Sequence, residues 1–127
     1  MATVNLTLDK FESTVDQDGI VLVDFWAEWC GPCKSFGPVF EAASEKHADA
    51  VFAKVNTEAG QLLFGLIGIQ SIPTVMIFRD GVPLFRQSGA LPADALDDLI
   101  GQAESLDMDT VRKEMEAAAQ DNEHGPN

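Results

Sequence analysis

Cys30 and Cys33 are the only cysteines in the chain of 127 residues, and Gly31 and Pro32 separate them. Two cysteines cannot form the multiple-disulfide framework of a small secreted domain, and this i, i+3 spacing indicates either redox chemistry or metal binding. In redox chemistry, the thiolate of one cysteine attacks a target disulfide and forms a mixed disulfide. The second cysteine then attacks that bond and releases the reduced target.

Metal binding is the first alternative, because a pair of this kind can be half of a zinc site. A structural zinc ion takes four ligands, and the chain offers only His47 and His124 besides the cysteines. His47 falls about four helical turns beyond Cys33, and His124 lies in a polar tail. The sequence therefore disfavours zinc, and both histidines are expected to be solvated surface residues.

A central strand and a helix are predicted to position the pair. Residues 20–26 form an apolar run that contains a single acid, Asp24, which is typical of a strand covered on both faces. Desolvation of a carboxylate at that position predicts a raised pKa for Asp24. The helix is expected to begin near Cys30 and to end at about His47, with Pro38 producing a kink.

The start of this helix predicts different roles for the two cysteines. Unpaired N–H groups and the helix dipole stabilise a sulfur anion at a helix N-terminus. Cys30 is therefore expected to be the exposed nucleophile, and Cys33 the resolving cysteine one turn later. Pro32 fixes the turn at a position where no N–H is needed. Trp29, directly before the cysteine, is expected to line a docking surface.

The order of the remaining elements predicts an α/β fold with a mixed sheet, parallel at its crossovers and antiparallel at a closing hairpin. Asp80 and Gly81 form the hairpin turn, Thr7 is the expected cap of the first helix, and Pro92 opens a later helix. The predicted strands are residues 4–6, 51–55, 74–78 and 82–87, and the further helices are residues 8–16, 58–66 and a helix with Leu96, Leu99 and Ile100 inside.

Charge and composition exclude several classes of function. The net charge is −13, and no cluster of Lys or Arg offsets it, so nucleic acid would be repelled. The first ten residues do not have the pattern of a secretory signal, and the apolar runs are too short to span a membrane. A cytoplasmic protein without membrane or nucleic-acid partners is therefore expected.

The end of the chain is predicted to form a separate extension. Residues 1–106 form the domain, residues 107–120 a helix, and residues 121–127 a disordered tail. Asp107 can cap this helix, and Met108, Val111, Met115 and Ala118 would form one apolar stripe. The stripe is expected to lie against the domain, and docking of a partner is the alternative.

The sequence resembles the thioredoxin family in motifs that occur in order over nearly the whole domain. The longest is Val-Asp-Phe-Trp-Ala-Glu-Trp-Cys-Gly-Pro-Cys-Lys at residues 23–34, followed by Pro38, residues 51–56, Ile72-Pro73-Thr74 and Gly89-Ala90. Residues 54–58 and 71–75 resemble the second bacterial type in particular. That type often carries an N-terminal zinc-binding segment, which is absent here.

This resemblance implies a thioredoxin fold, with helices on both faces of the sheet, and further site residues. Pro73 matches the cis-proline that faces the cysteines, and the backbone of Ile72 would pair with an extended target segment. Asp24 matches a buried acid that relays a proton to the resolving cysteine, and Lys54 matches the lysine near it. The expected docking surface comprises Trp29, Gly31, Pro32, Ile72, Pro73, Gly89 and Ala90.

The activity implied is reduction of protein disulfides, with recharging by a flavin-dependent, NADPH-driven thioredoxin reductase. No bound cofactor is needed, since the dithiol carries the electrons, and a monomer is expected. Leu66, Ile67 and Gln70 depart from the family's pattern beside the docking loop, so the resemblance does not define the choice of partner. Two alternatives stay open. One is the same chemistry directed toward oxidation or isomerisation. The other is a thioredoxin-fold binding module or subunit of a larger assembly.

Overall fold

The computed structural model describes residues 3–57, 68–69 and 71–124. Five strands and four helices lie in these residues, in the order β1 (Thr3–Asn5), α1 (Leu8–Val15), β2 (Ile20–Trp26), α2 (Gly31–Lys46), β3 (Val51–Asn56), β4 (Thr74–Arg79), β5 (Val82–Ser88), α3 (Ala93–Ser105) and α4 (Met108–His124). The helix predicted over residues 58–66 lies outside the described residues, as do Leu66, Ile67 and Gln70.

The five strands form one mixed sheet with the order β1-β3-β2-β4-β5. β3 pairs in parallel with both β1 and β2, while β4 pairs antiparallel with β2 and β5. The predicted mixed sheet, with parallel crossovers and an antiparallel closing hairpin, is therefore confirmed. β2 lies at its centre and is buried from Val21 to Phe25. The C-terminal end of this strand leads directly to the cysteine pair.

Each face of the sheet carries its own apolar core, which is why β2 reads as a continuous apolar run. On one face, α1 packs over alternate strand residues, with Phe11 tilted against Phe25. On the other face, α2 and α3 bury Phe36, Phe40 and Leu96. The arrangement of helices on both faces is confirmed, and it holds the start of α2 against the end of β2.

The hairpin turn is built as its sequence predicts. Asp80 and Gly81 have φ angles of 53° and 82°, the left-handed region that a two-residue turn of this kind requires. Asp80 also ties the turn to the start of β2. Its carboxylate accepts a hydrogen bond from the N–H of Gly19 at 2.8 Å, and its own N–H donates to the Gly19 carbonyl at 2.9 Å.

Arg79 joins the sheet to the C-terminal end of α3. Its Nη1 donates to the carbonyl oxygens of Ala103, Glu104 and Leu106 at 2.9, 3.0 and 2.9 Å. A helix leaves its last carbonyls without partners, and a guanidinium at that end also complements the helix dipole. Arg79 therefore fixes the position at which the chain leaves the domain.

The C-terminal extension packs less than its sequence predicts. Asp107 caps α4 as expected, because its carboxylate accepts from the N–H of Asp109 and the hydroxyl of Thr110. Met108 is buried, yet Met115 is 45% exposed, so the stripe does not lie along the domain. Ala117 and Ala118 are exposed and favour the helix by propensity, since alanine is the strongest helix former.

Two further details differ from expectation. The sequence predicts a disordered tail over residues 121–127, but α4 runs through His124. Residues 125–127 lie outside the described residues. Thr7 occupies the cap position of α1, but its hydroxyl accepts no backbone N–H and instead donates to the carboxylate of Asp9. Within the described residues, no helix is long and apolar enough to cross a membrane.

Candidate active site

The cysteine pair lies at the start of α2, immediately after the central strand. Cys30 is the N-cap residue, with extended φ and ψ of −87° and 109°, and Pro32 sits in the first helical turn. The sulfur atoms of Cys30 and Cys33 are bonded to each other, and their Cα atoms are 5.2 Å apart. The predicted helix start and the close approach of the two sulfurs are confirmed.

The two sulfurs differ in their contacts with the start of α2. The backbone N–H of Cys33 donates to Cys30 Sγ at 3.2 Å, as an N3 group does to an N-cap side chain. The carbonyl of Cys30 already accepts from the N–H of Lys34 at 3.3 Å, so Cys30 begins the helical ladder. An N–H aimed at the sulfur, together with the positive end of the helix, stabilises negative charge on Cys30.

Exposure does not distinguish the two cysteines. Cys30 and Cys33 are each 4% exposed, so the expectation that Cys30 is an exposed residue is wrong for the disulfide form. Ala27, Trp26 and Ile72 pack around the pair and cover it. The sequence could not show this cover, because Ile72 is distant along the chain.

A loop before β4 forms one wall of the site. The Ile72–Pro73 peptide bond is cis, as the family resemblance implies. The carbonyl oxygen of Ile72 lies 3.7 Å from Cys30 Sγ. The N–H of Gly89, whose φ of 96° favours glycine, donates to the carbonyl of Pro73 at 2.8 Å. Two loops that are distant in sequence are thereby held together beside the cysteines.

An exposed surface borders these two loops. Trp29 is 71% exposed, which is unusual for an indole in a folded domain. Gly31 and Pro32, which follow shortly after it, and Gly89 and Ala90 after β5 are exposed as well. The exposed members of this surface, called the docking rim below, are Trp29, Gly31, Pro32, Gly89 and Ala90. Such a surface, continuous with the buried cysteines, suits a flat contact with another protein.

Asp24 lies in the interior of the central strand with only 1% exposure, and neither carboxylate oxygen has a hydrogen-bond partner among the described residues. Burial raises the pKa of the Asp24 carboxyl from 3.8 to about 7, and the positive charge of Lys54 opposes that rise. The raised pKa predicted from sequence is confirmed in direction. Asp24 can therefore exchange a proton near neutral pH.

Lys54 is the register partner of Asp24 on the adjacent parallel strand, but its ammonium is directed elsewhere. Nζ of Lys54 lies 5.1 Å from the centroid of the Trp26 ring. The family resemblance implies that Lys54 lies near Asp24, but it does not indicate the contact between Lys54 and Trp26. The signal was available, because Asp24 and Trp26 alternate onto the same face of β2.

The histidine expected at the surface is in fact part of an ion cluster. His47 ends α2, and its Nε2 lies 3.1 Å from Asp97 Oδ1 on α3, where Lys46 also binds at 2.7 Å. The expectation of a solvated His47 is therefore wrong, because packing of α3 on α2 brings Asp97 to it. The side chain of His124 lies outside what the structure describes. Across residues 3–57, 68–69 and 71–124, no three His, Cys, Asp or Glu side chains are grouped to hold a metal ion.

Comparisons with known proteins agree with this geometry. The thioredoxin family model matches residues 2–102. A Streptomyces coelicolor protein that carries the name thioredoxin 2 is 59% identical over 112 residues, which cover 88% of this chain and 84% of the relative. A thioredoxin of Alicyclobacillus acidocaldarius is 42% identical over 97 residues, 76% of this chain and 92% of the relative.

The chain belongs to the thioredoxin family. Among solved structures, a mutant thioredoxin from Halobacterium salinarum matches with a TM-score of 0.76 and 32% identity, covering 83% of this chain and 93% of that one. The fold is thus a thioredoxin fold, and the bonded cysteine pair is the redox centre of a thiol–disulfide oxidoreductase. Thioredoxins reduce disulfides, and the family works with protein substrates and a thioredoxin reductase. α4 lies beyond the residues that the family model matches.

Proposed function

We propose that this thioredoxin reduces disulfides of other proteins through Cys30 as nucleophile and Cys33 as resolving cysteine. The single observation that supports these roles is the N–H of Cys33, which donates to Cys30 Sγ at the start of α2. That contact favours the thiolate of Cys30 over its thiol, and the thiolate is the attacking species.

The exchange balances in two steps. In the reduced protein, the Cys30 thiolate attacks one sulfur of the target disulfide, and the other target sulfur leaves as a thiolate that takes a proton. The Cys33 thiolate then attacks Cys30 Sγ and displaces the first target sulfur. That sulfur also leaves as a thiolate and takes a proton, from water or from the acid that accepted the Cys33 proton. Two electrons have passed to the target, and the Cys30–Cys33 disulfide of the structure is the oxidised product.

Asp24 is the proposed general acid and base for the second step. Cys33 must lose a proton before it attacks, and a carboxyl with a pKa of about 7 can accept one at neutral pH. The same carboxyl can return a proton when the disulfide is later reduced. Lys54 tunes this group by its positive charge, which favours ionised Asp24.

The docking rim and the adjoining Ile72–Pro73 loop are the proposed target-binding surface. An extended target segment would pair with the backbone of Ile72, a contact that depends little on target sequence. The Ile72 carbonyl already lies 3.7 Å from Cys30 Sγ, so a strand held there would carry its disulfide to the nucleophile. The exposed indole of Trp29 would cover the apolar part of the same segment.

The proposed cycle needs protein partners and no bound cofactor. A flavin-dependent thioredoxin reductase, driven by NADPH, would reduce the Cys30–Cys33 disulfide after each turnover. We place the protein in the cytoplasm as a monomer, since disulfides in that compartment are transient and are returned to thiols. The net charge of −13 favours partners with basic docking surfaces.

Insulin reduction tests this proposal against a binding module that only uses the fold. With dithiothreitol or with NADPH and a thioredoxin reductase, the wild type should accelerate precipitation of the insulin B chain, and Cys30→Ser should not. A reduction potential close to the value characteristic of thioredoxins, about −270 mV, is expected and would exclude an oxidase or isomerase. Intact insulin in the presence of the wild type would contradict the proposal.

A further inference from the structure

Asp24 and Lys54 are placed so that an ion pair would be expected. They are register partners on the parallel strands β2 and β3, and side chains of register partners lie on the same face of a sheet. An opposite charge within about 4–6 Å strongly favours the charged form of a carboxylate. A direct contact with Lys54 would therefore ionise Asp24 at neutral pH and remove its capacity to accept a proton.

The structure shows no such ion pair. Neither oxygen of Asp24 has a hydrogen-bond partner among the described residues, and the Lys54 ammonium instead lies over the Trp26 ring at 5.1 Å from its centroid. Trp26 follows Asp24 by two residues and lies on the same face of β2. The Lys54 ammonium can therefore contact either of two neighbouring groups on this face, the Asp24 carboxylate or the Trp26 indole.

The balance between the two positions depends on hydration. Lys54 and Trp26 are half-buried, whereas Asp24 is buried. Moving the ammonium to Asp24 would take it out of water, and the desolvation cost of a buried pair can exceed the gain in attraction. At the indole face the ammonium keeps part of its water and gains a cation–π contact, which is strongest with Trp.

We propose that Trp26 is a positioning residue, whose ring holds the Lys54 ammonium away from Asp24 and thereby keeps the Asp24 carboxyl able to exchange a proton with Cys33. Trp26 acts through Lys54 and not by touching the target. This inference rests on the proposed function only in its last step, the transfer of a proton to or from Cys33. The effect of Lys54 on Asp24 can be measured without an activity assay.

Few other charges can affect Asp24. Its register partner on β4 is Val75, and α2 places Phe36, Phe40 and the cysteines on this side of the sheet. The acid of α2 that faces the sheet, Glu41, lies over edge strand β1, where its carboxylate accepts a hydrogen bond from the Thr3 hydroxyl. In the oxidised protein the cysteines are bonded and do not titrate. Among the described residues, Lys54 is thus the charged group that affects the pKa of Asp24, and its positive charge lowers that pKa.

The test is the titration midpoint of the Asp24 carboxyl, followed by carboxyl carbon NMR of the oxidised protein between pH 4 and pH 10. Trp26→Leu should free the ammonium and lower the midpoint by about one pH unit, as an approaching cation does. Trp26→Phe keeps an aromatic face and should stay close to wild type. Lys54→Met should raise the midpoint by less than one pH unit, since the ammonium is held at a distance.

Entry of water beside Asp24 in Trp26→Leu could also lower the midpoint. The double variant Trp26→Leu, Lys54→Met separates that cause from the approach of the Lys54 ammonium. If Trp26 acts through Lys54, Trp26→Leu should not lower the midpoint when Lys54 is Met. An equal fall in both backgrounds would mean that Trp26 only excludes water, and would overturn the proposal. If Trp26→Leu does not fold, a rise of two pH units or more in Lys54→Met would overturn it alone, by showing a direct ion pair. Failure of the proposed function would be seen separately, as normal resolution of mixed disulfides by Asp24→Asn.

Discussion

The backbone N–H of Cys33 donates to Cys30 Sγ at 3.2 Å, and this contact is not reciprocal. Cys30 is the N-cap of α2 and receives an N–H that the helix leaves without a partner, whereas Cys33 lies within the first turn. Both residues are equally buried, so it is the helix start, and not exposure, that makes Cys30 the better anion. The division of labour in the pair follows from this geometry.

Asp24→Asn should make the protein more stable at high pH. The pKa of Asp24 is raised in the folded protein to about 7, above the unfolded value of about 3.9. The stability of the fold is therefore highest with respect to Asp24 below pH 3.9, and this part of the unfolding free energy is lost as the pH rises through 7. At pH 9 the loss approaches about 4 kcal/mol. Urea unfolding of the oxidised protein should show that Asp24→Asn raises the unfolding free energy by much of this amount at pH 9 and by little at pH 4.

Asp18→Asn is the matched control for this prediction, because Asp18 is an exposed acid shortly before the same strand. Its unfolding free energy should follow that of the wild type within a few tenths of a kcal/mol across the pH range, as surface changes usually do. If Asp24→Asn were less stable than the wild type at pH 9, Asp24 would be a satisfied structural carboxylate.

Arg79→Met should destabilise the fold by about 1.5–3 kcal/mol, since hydrogen bonds from a charged donor to three carbonyls at the end of α3 are lost. Arg112→Met provides the comparison. Arg112 is half exposed and 3.5 Å from Asp80, and a surface pair of this kind contributes at most about 1 kcal/mol. Equal losses in the two variants, measured by urea unfolding, would show that capping of α3 is not the important contact.

Two truncations separate the anchored start of α4 from its exposed remainder. Removal of residues 112–127 should leave the unfolding midpoint nearly unchanged, since residues 112–118 are exposed. Removal of residues 107–127 also deletes buried Met108 and should cost about 1.5–3 kcal/mol. Both should reduce insulin at the wild-type rate. A folded truncation without reductase activity would assign α4 a part in catalysis or docking.

Trp29→Ala should impair protein targets and spare a small disulfide. Loss of a Trp from the centre of a protein contact often costs enough for a fall of about tenfold in kcat/KM, here measured with insulin. The rate with 5,5′-dithiobis(2-nitrobenzoate), which needs no extended docking, should change little. Val4→Ala removes another exposed apolar side chain, on edge strand β1, and should affect neither substrate. A parallel loss with both substrates would show that Trp29 affects the cysteines themselves.

Much of the fold could be predicted from local patterns. The apolar run of β2 and the Asp80-Gly81 turn each carry a signal in adjacent residues, and the structure has β2 at Ile20–Trp26 and the left-handed turn where expected. The cysteine pair was found for the same reason, because the spacing that forms its disulfide lies within five residues. The raised pKa of Asp24 followed from one acid in an apolar strand.

The features that sequence could not give depend on which distant elements meet. The cover over Cys30 comes from the Ile72 loop, the partner of His47 comes from Asp97 on α3, and Arg79 reaches carbonyls after residue 102. The spacing of the apolar stripe in α4 predicts a helix, and the structure has one at Met108–His124. The periodicity of the stripe does not show whether another part of the domain packs against it.

Capture of targets as mixed disulfides by two single variants tests directly whether Cys30 is the nucleophile. Cys33→Ser and Cys30→Ser, each reduced and then mixed with insulin or a cell extract, are analysed on non-reducing gels with and without dithiothreitol. Cys33→Ser should retain targets in bands that the reductant releases, because the nucleophile remains and the resolving thiol is gone. Cys30→Ser should retain none. Equal capture by both variants, or capture by Cys30→Ser alone, would contradict the assignment of Cys30 as the nucleophile.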